Sequence, residues 1–174
     1  MIRVLLVDDH PLVRTGLRAL LEGAADIEVT GEASEGAQGV AEAGRNPPDV
    51  VLMDLSMPVL DGIDATRMLR SSQPDVKVVV LTSSLDRDRV REALAAGAVG
   101  YVLKDCSADE VRAAVRSAAR GHAPIDPRVA GALLPAAVSR VRPLSERERQ
   151  VLQLVSKGLA NKQIGRELGI TERT

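Results

Sequence analysis

The sequence predicts an α/β fold, a parallel sheet with helices on both sides followed by a smaller helical region, and three observations carry that reading. Short, nearly continuous apolar runs rich in β-branched residues, Ile2–Val7, Val50–Met53, Val76–Leu81 and Tyr101–Leu103, fit strands buried on both faces. Helical patterns separate the runs, which favours parallel strands joined by crossover helices. Asp8-Asp9, Asp54, Thr82 and Lys104 each stand at the carboxyl end of one run. In a parallel sheet those ends share one edge, the edge at which α/β proteins bind ligands.

The elements follow in order. Proline suits the first position of a helix, so the first helix begins at Pro11. Leu12, Val13, Leu17, Leu20 and Leu21 form its expected buried stripe, with Arg14 and Arg18 outward. A strand over Ile27–Ala33 comes next, then a glycine-weakened helix across Ala37, Val40 and Ala41. Pro47-Pro48 punctuate the entry to the strand at Val50. Two helices are expected over Ile63–Arg70 and Arg87–Ala96, the second ended by Gly97. Ser107-Ala108-Asp109-Glu110 is a capping box that opens a further helix running to Arg120. Ala113, Ala114, Ala118 and Ala119 give that helix a close-approach face.

The residues at the strand ends suggest their own chemistry. Carboxylates packed together repel, so they hold protons or recruit a cation. Oxygen donors at a partly exposed site suit a hard divalent ion, Mg²⁺ ahead of Ca²⁺ or Mn²⁺. Asp54 stands alone on the central strand, and such a carboxylate can act as a nucleophile toward phosphorus. In-line phosphoryl transfer needs charge stabilisation, which a metal, a lysine and a hydroxyl supply. Lys104 would pair with one phosphoryl oxygen and Thr82 would hydrogen-bond another. Taken singly, each aspartate reads as the end of a strand and the start of a turn. Agreement among four strand ends decides for a phosphoryl site.

Four pieces of sequence resemble the receiver domain of bacterial two-component response regulators. They are Val7-Asp8-Asp9-His10-Pro11, Met53-Asp54-Leu55-Ser56-Met57-Pro58 with Asp61-Gly62, Val80-Leu81-Thr82-Ser83, and the stretch from Ala96 to Asp105 that holds Tyr101 and Lys104. The resemblance covers residues 1–120 and implies a flavodoxin-like, five-stranded parallel sheet. It implies Asp54 as phosphoacceptor, and Asp8, Asp9, Asp54 and the Ser56 backbone carbonyl as the Mg²⁺ ligands. Thr82 and Lys104 would sense the phosphoryl group, and Tyr101 would change rotamer. A sensor histidine kinase is the implied donor, and a homodimer the implied active form. His10-Pro11 and the pair Lys104-Asp105 are similar to the NarL/FixJ branch. Tyr101 is the single aromatic of the chain. A ring with one polar tip is stable either buried or at the surface, as a two-state element requires.

Composition narrows the setting. A formal net charge of −1 leaves no global basic field, so any contact with DNA must be local. The lone cysteine, Cys106, excludes a disulfide framework, fits a reducing cytoplasm and reads as a spectator thiol. Two histidines, His10 and His122, give a zinc site no support. The first apolar run is too short for a signal peptide, and no stretch approaches the ~20 apolar residues of a membrane helix. The expected location is therefore cytoplasmic, away from any membrane.

Residues 121–142 read as a linker broken by Pro124, Pro127 and Pro135, with Pro143 just beyond. A short helix is expected over Arg128–Leu134, because Val129, Leu133 and Leu134 share a face. The segment is locally basic through Arg128, Arg140 and Arg142, with Asp126 opposing, and reads as a solvated connector.

Residues 143–174 start a second domain. Ser145 to Glu148 is another capping box, followed by an apolar stripe of Val151, Leu152, Val155 and Leu159 and a stop at Gly158. Asn161 caps a short helix containing Ile164 and Leu168, and Gly169-Ile170-Thr171 form a turn and a new cap. That is helix-turn-helix logic. The stretch from Leu144 to Thr174 resembles LuxR-type DNA-binding domains, in which Thr171 begins the recognition helix that reads base edges. The sequence ends at Thr174, so the expectation is a domain cut short and a chain that does not bind a DNA site specifically. Promoter DNA is then a partner of the full-length parent. Lys162, Arg166 and Arg173 are left as phosphate contacts, which position without specifying. Ile164, Leu168 and Ile170 would lack core partners, which favours self-association.

The reading is a phosphorylation-switched transcription regulator, enzymatic only in its own phosphorylation and dephosphorylation at Asp54. A hydrolase of the haloacid-dehalogenase kind shares the Asp, Thr, Lys and Mg²⁺, but carries an acid two residues after its nucleophile, where Ser56 stands here. An interaction module indifferent to phosphate is the third alternative.

Overall fold

The computed structural model describes residues 1–83, 85–133, 146–156, 163 and 167–168. The chain forms two compact units, Met1–Leu134 and Pro135–Thr174. In the first, strands and helices alternate: β1 (Ile2–Val7), α1 (Pro11–Glu22), β2 (Ile27–Ala33), α2 (Gly36–Arg45), β3 (Val50–Met53), α3 (Gly62–Ser72), β4 (Lys77–Thr82), α4 (Arg87–Ala95), β5 (Gly100–Leu103), α5 (Ala108–Ala119) and α6 (Pro127–Leu133).

The strands pair in parallel in the order β2-β1-β3-β4-β5. Successive side chains leave a strand on opposite faces, so one apolar run feeds two cores. Val4, Leu6, Val50, Leu52, Val79, Leu81 and Val102 meet Leu21 of α1 and Val111, Ala114, Val115 and Ala118 of α5 on one face. On the other, Leu5, Val7, Val51, Met53 and Val78 pack on α2 and α3. Val80, Tyr101 and Leu103 extend that second face toward α4 and α6. The order reverses between β1 and β3, so a crevice opens beyond their carboxyl ends.

The capping box of α5 forms as its sequence predicts, Ser107 and Glu110 each satisfying the other's backbone amide. The expected stripe of α1 needs correction at its start. Leu12 is 87% exposed, because it lies about two and a half turns from Leu21 and so on the opposite face of the helix; only Leu21 is fully buried, with Leu17 and Leu20 packed partly against the core. Arg14 and Arg18 are not simply solvated either; both pair with Glu32 on β2. In α5 the packing face is Val111, Ala114, Val115 and Ala118, and Ala113 is exposed.

The stretch after α5 is bound to the sheet. Tyr101 donates its amide to the Pro124 carbonyl at 2.8 Å, and Asp126 donates to the Tyr101 carbonyl at 2.9 Å. This makes a parallel bridge between Tyr101 and Ile125 on the outer edge of β5. Gly100 permits it, since a Cβ there would lie 2.6 Å from the Pro124 ring. Val129 of α6 is fully buried in the cluster with Tyr101, Val90 and Ala93. Arg128 anchors the segment to Asp105 at 2.9 Å and to Asp126 at 2.8 Å.

In the second unit, α7 (Glu146–Ser156) forms where the apolar spacing places a helix, with Val151 part-buried and Leu152 exposed. The expected cap at Ser145, the stop at Gly158, the helix start at Asn161 and the turn at Thr171 lie outside the described residues. So do Lys162, Arg166 and Arg173, as well as Ile164, Ile170, Arg140 and Arg142.

Candidate functional site at the carboxyl edge of the sheet

Asp8 and Asp9 follow β1, Asp54 follows β3, Thr82 ends β4 and Lys104 follows β5, so four neighbouring strands deliver their side chains to one crevice. Ladder bonds run past the strand ends and hold these residues in register. Asp8 donates its amide to Ala33, Asp54 to Val7 at 2.8 Å, and Lys104 to Thr82 at 2.8 Å. Asp8, Asp54 and Thr82 are buried.

The Lys104 ammonium lies between two carboxylates, 2.6 Å from Asp8 Oδ2 and 2.9 Å from Asp54 Oδ2. Burial alone would depress its pKa; the two carboxylates outweigh that and hold it above the ordinary lysine value. Asp8 Oδ1 accepts the His10 backbone amide at 2.8 Å, and the His10 ring lies 2.7 Å from Asp9 Oδ1. Among the described residues, Asp9 Oδ1 has no donor other than that ring, and Asp8 Oδ2 none other than the Lys104 ammonium.

One ligand atom each from Asp8, Asp9, His10 and Asp54 fall within 4.8 Å of one another. Three carboxylates against one ammonium leave two negative charges in this space, and oxygen donors predominate. That donor set fits a hard divalent cation such as Mg²⁺. The exposed His10 ring sits at the mouth of the cluster.

The Tyr101 ring is fully buried, and its hydroxyl is hydrogen-bonded to Thr82. Burial pushes the phenol's pKa up. Ser56 is exposed in the loop between β3 and α3, beside the cluster in sequence. The same loop holds Val59 at φ 66°, a backbone region that β-branched residues rarely enter. Gly62 starts α3 so close to Asp54 that a Cβ would lie 1.9 Å from the Asp54 carbonyl oxygen. The Cys106 thiol is half-buried, and burial raises its pKa, consistent with a thiol that is no nucleophile.

Sequence reasoning brought together Asp8, Asp9, Asp54, Thr82 and Lys104, and the structure places all five at this edge, with Tyr101 buried in the adjoining core cluster and bonded to Thr82. It missed Arg89 of α4, which donates to the Leu55 carbonyl at 3.1 Å, and the tie of Arg128 to Asp105 beside Lys104. No local pattern marks either residue.

A five-stranded parallel sheet with an acidic cluster at its carboxyl edge defines a receiver-type module. The family model described as "Response regulator receiver domain" matches residues 4–116, and the one described as "Bacterial regulatory proteins, luxR family" matches residues 142–174. The transcriptional regulatory protein LiaR of Bacillus subtilis is 46% identical over 184 residues, spanning 100% of this chain and 85% of LiaR. The crystal structure of ChrA, a response regulator in a heme-sensing two-component system, is 39% identical with a TM-score of 0.66 and covers 98% of this chain and 82% of its own. RcsB of Salmonella typhimurium is 25% identical with a TM-score of 0.73, covering 98% and 84%; a further RcsB structure holds two dimers bound to two parallel DNAs. The chain belongs to the response regulators of two-component systems, joining a receiver to a LuxR-type DNA-binding region. Among the described residues, no helix is long and apolar enough to cross a membrane.

Proposed function

We propose that Asp54 accepts a phosphoryl group from the phosphohistidine of a sensor histidine kinase, and that this switches the chain as a transcription regulator. An Asp54 carboxylate oxygen attacks phosphorus; the phosphorus–nitrogen bond breaks, and the leaving imidazole nitrogen keeps the electron pair and takes up a proton. Asp8, Asp9, Asp54 and the Ser56 backbone carbonyl would hold Mg²⁺, which supplies charge neutralisation on the transferred group. Lys104 moves from its carboxylate partners to a phosphoryl oxygen, and Thr82 hydrogen-bonds another. Recruiting Thr82 disturbs its bond to Tyr101, so the phosphoryl state is registered in the core next to α4 and β5. Phosphorylation then favours a homodimer, which in the full-length parent presents paired LuxR-type domains to promoter DNA, in keeping with the DNA-bound dimers of RcsB.

The observation that carries this reading is the shared ammonium: Lys104 bridges Asp8 and Asp54 in a buried crevice whose carboxylates outnumber its one ammonium, leaving room for a divalent ion. The test is incubation with acetyl phosphate and Mg²⁺ followed by intact-mass spectrometry. One phosphoryl adduct is expected, absent without Mg²⁺ and absent in Asp54→Asn. An adduct that persists in Asp54→Asn assigns the acceptor elsewhere and overturns the proposal.

A further inference from the structure

Arg89 sits in the first turn of α4, an unfavourable place for a cation, because the positive end of the helix dipole repels it. A tertiary role explains the position. Its guanidinium leaves the helix and crosses to the loop between β3 and α3. There it donates to the carbonyl of Leu55, the residue directly after Asp54, at 3.1 Å, and stands 3.8 Å from the Asp61 carboxylate. Asp61 caps α3 by accepting the amides of Ile63 and Asp64. The same Leu55 carbonyl accepts the Gly62 amide at 3.1 Å. The backbone that follows Asp54 is therefore held from two sides: by the start of α3, and by one side chain of α4. Arg89 also lies near enough to Tyr101 for its charge to act on the phenol, and its Nε is buried with no hydrogen-bond partner among the described residues.

We propose that Arg89 is a positioning residue for phosphoryl transfer at Asp54, tying α4 to the loop behind the acceptor so that the two move together when Thr82 is recruited. The proposal rests on Asp54 being the acceptor and adds the device that carries the event to α4. Arg89 does not touch the reacting atoms; it acts through the Leu55 carbonyl and Asp61. Both contacts come from one guanidinium nitrogen, so a lysine in its place keeps the charge and a donor for the Leu55 carbonyl, whereas a glutamine loses the charge.

The experiment titrates the full chain with beryllofluoride at fixed Mg²⁺ and follows tyrosine emission, which reports on Tyr101 alone because the sequence holds one Tyr and no Trp. In the wild type the emission changes saturably, and Asp54→Asn abolishes the change. Arg89→Ala is expected to weaken the apparent affinity about tenfold, the size of one lost charge-assisted hydrogen bond, and to halve the emission amplitude at saturation. Arg89→Lys is expected to recover most of the affinity and Arg89→Gln little of it. An Arg89→Ala curve that overlays the wild type in affinity and amplitude overturns the proposal. If Arg89→Ala loses its helical circular dichroism, the Lys and Gln variants decide: both matching the wild type is the overturning result, and a tenfold gap between them the supporting one. A flat wild-type titration, or one unchanged in Asp54→Asn, removes the Asp54 reading itself, and Arg89's role with it.

Discussion

The side-chain hydroxyls of Tyr101 and Thr82 share a hydrogen bond inside the sheet edge, where both residues are buried. The chain's single aromatic ring is thus connected to a hydroxyl one strand away from Asp54. Thr82→Ala is expected to cost about 1 kcal/mol by removing that partner, and to shift the Tyr101 emission. Thr82→Ser should leave both near the wild type. Urea denaturation and emission spectra check the pair; an unshifted spectrum in Thr82→Ala would contradict the connection.

Lys104 touches two buried carboxylates while itself only slightly exposed. Lys104→Ala strands both charges, and removing one partner of a buried ion pair costs about 3 kcal/mol or more. Mg²⁺ is expected to stabilise this variant more than the wild type, because the ammonium no longer competes for the same oxygens. Denaturation midpoints with and without Mg²⁺ give the comparison.

Val129 belongs to the core although it lies beyond the helices of the receiver pattern. Val129→Ala removes two buried methyl groups and should cost about 2 kcal/mol. A solvated connector would give no measurable change in the unfolding midpoint.

Arg116 and Asp26 join α5 to the turn before β2 through two contacts of 2.7 Å. The Arg116 hydrogen bonds hold the Asp26 carboxyl down at about 2, from its usual 3.8. A carboxyl depressed in the folded state adds stability that is complete above its unfolded pKa and disappears as pH falls through the folded one. The deficit of Asp26→Asn relative to the wild type should therefore be constant from neutral pH down to about pH 5, and close between pH 4 and pH 2. Thermal melts across that range test it; a deficit that persists at pH 2 would assign it to something other than ionisation.

Val59 pays backbone strain at φ 66° and recovers no packing, being almost wholly exposed. Val59→Asn, which tolerates that region, should raise stability by about 1 kcal/mol, read from the denaturation midpoint. A loss would mean that the strain lies elsewhere in the loop.

The sheet was legible because two-faced burial forces β-branched runs, and Val4–Val7, Val50–Met53 and Val78–Leu81 have no other reason to be so apolar. The cluster at its edge was legible because parallel topology converts sequence position into spatial convergence. Leu12 was not: a dense apolar run suggests one wide stripe, but Leu12 lies about two and a half turns from Leu21 and so on the opposite face of α1. Arg89 and Arg128 were also hidden, since a charge on a polar face finds its partner only through the packing of distant elements. The prolines around Ile125 and Val129 signal a break in structure, and carry no sign that the broken segment docks on β5.

That docking changes what the outer rim of the sheet offers to other chains. An edge strand with unpaired amides and carbonyls is a template for intermolecular β-pairing. Along β5 the template is filled at Tyr101 by the chain's own residues, through Pro124 and Asp126. A fragment trimmed at residue 120 would bare that rim together with Val90, Ala93 and Tyr101, and would tend to aggregate. One carried through Leu133 keeps its own seal.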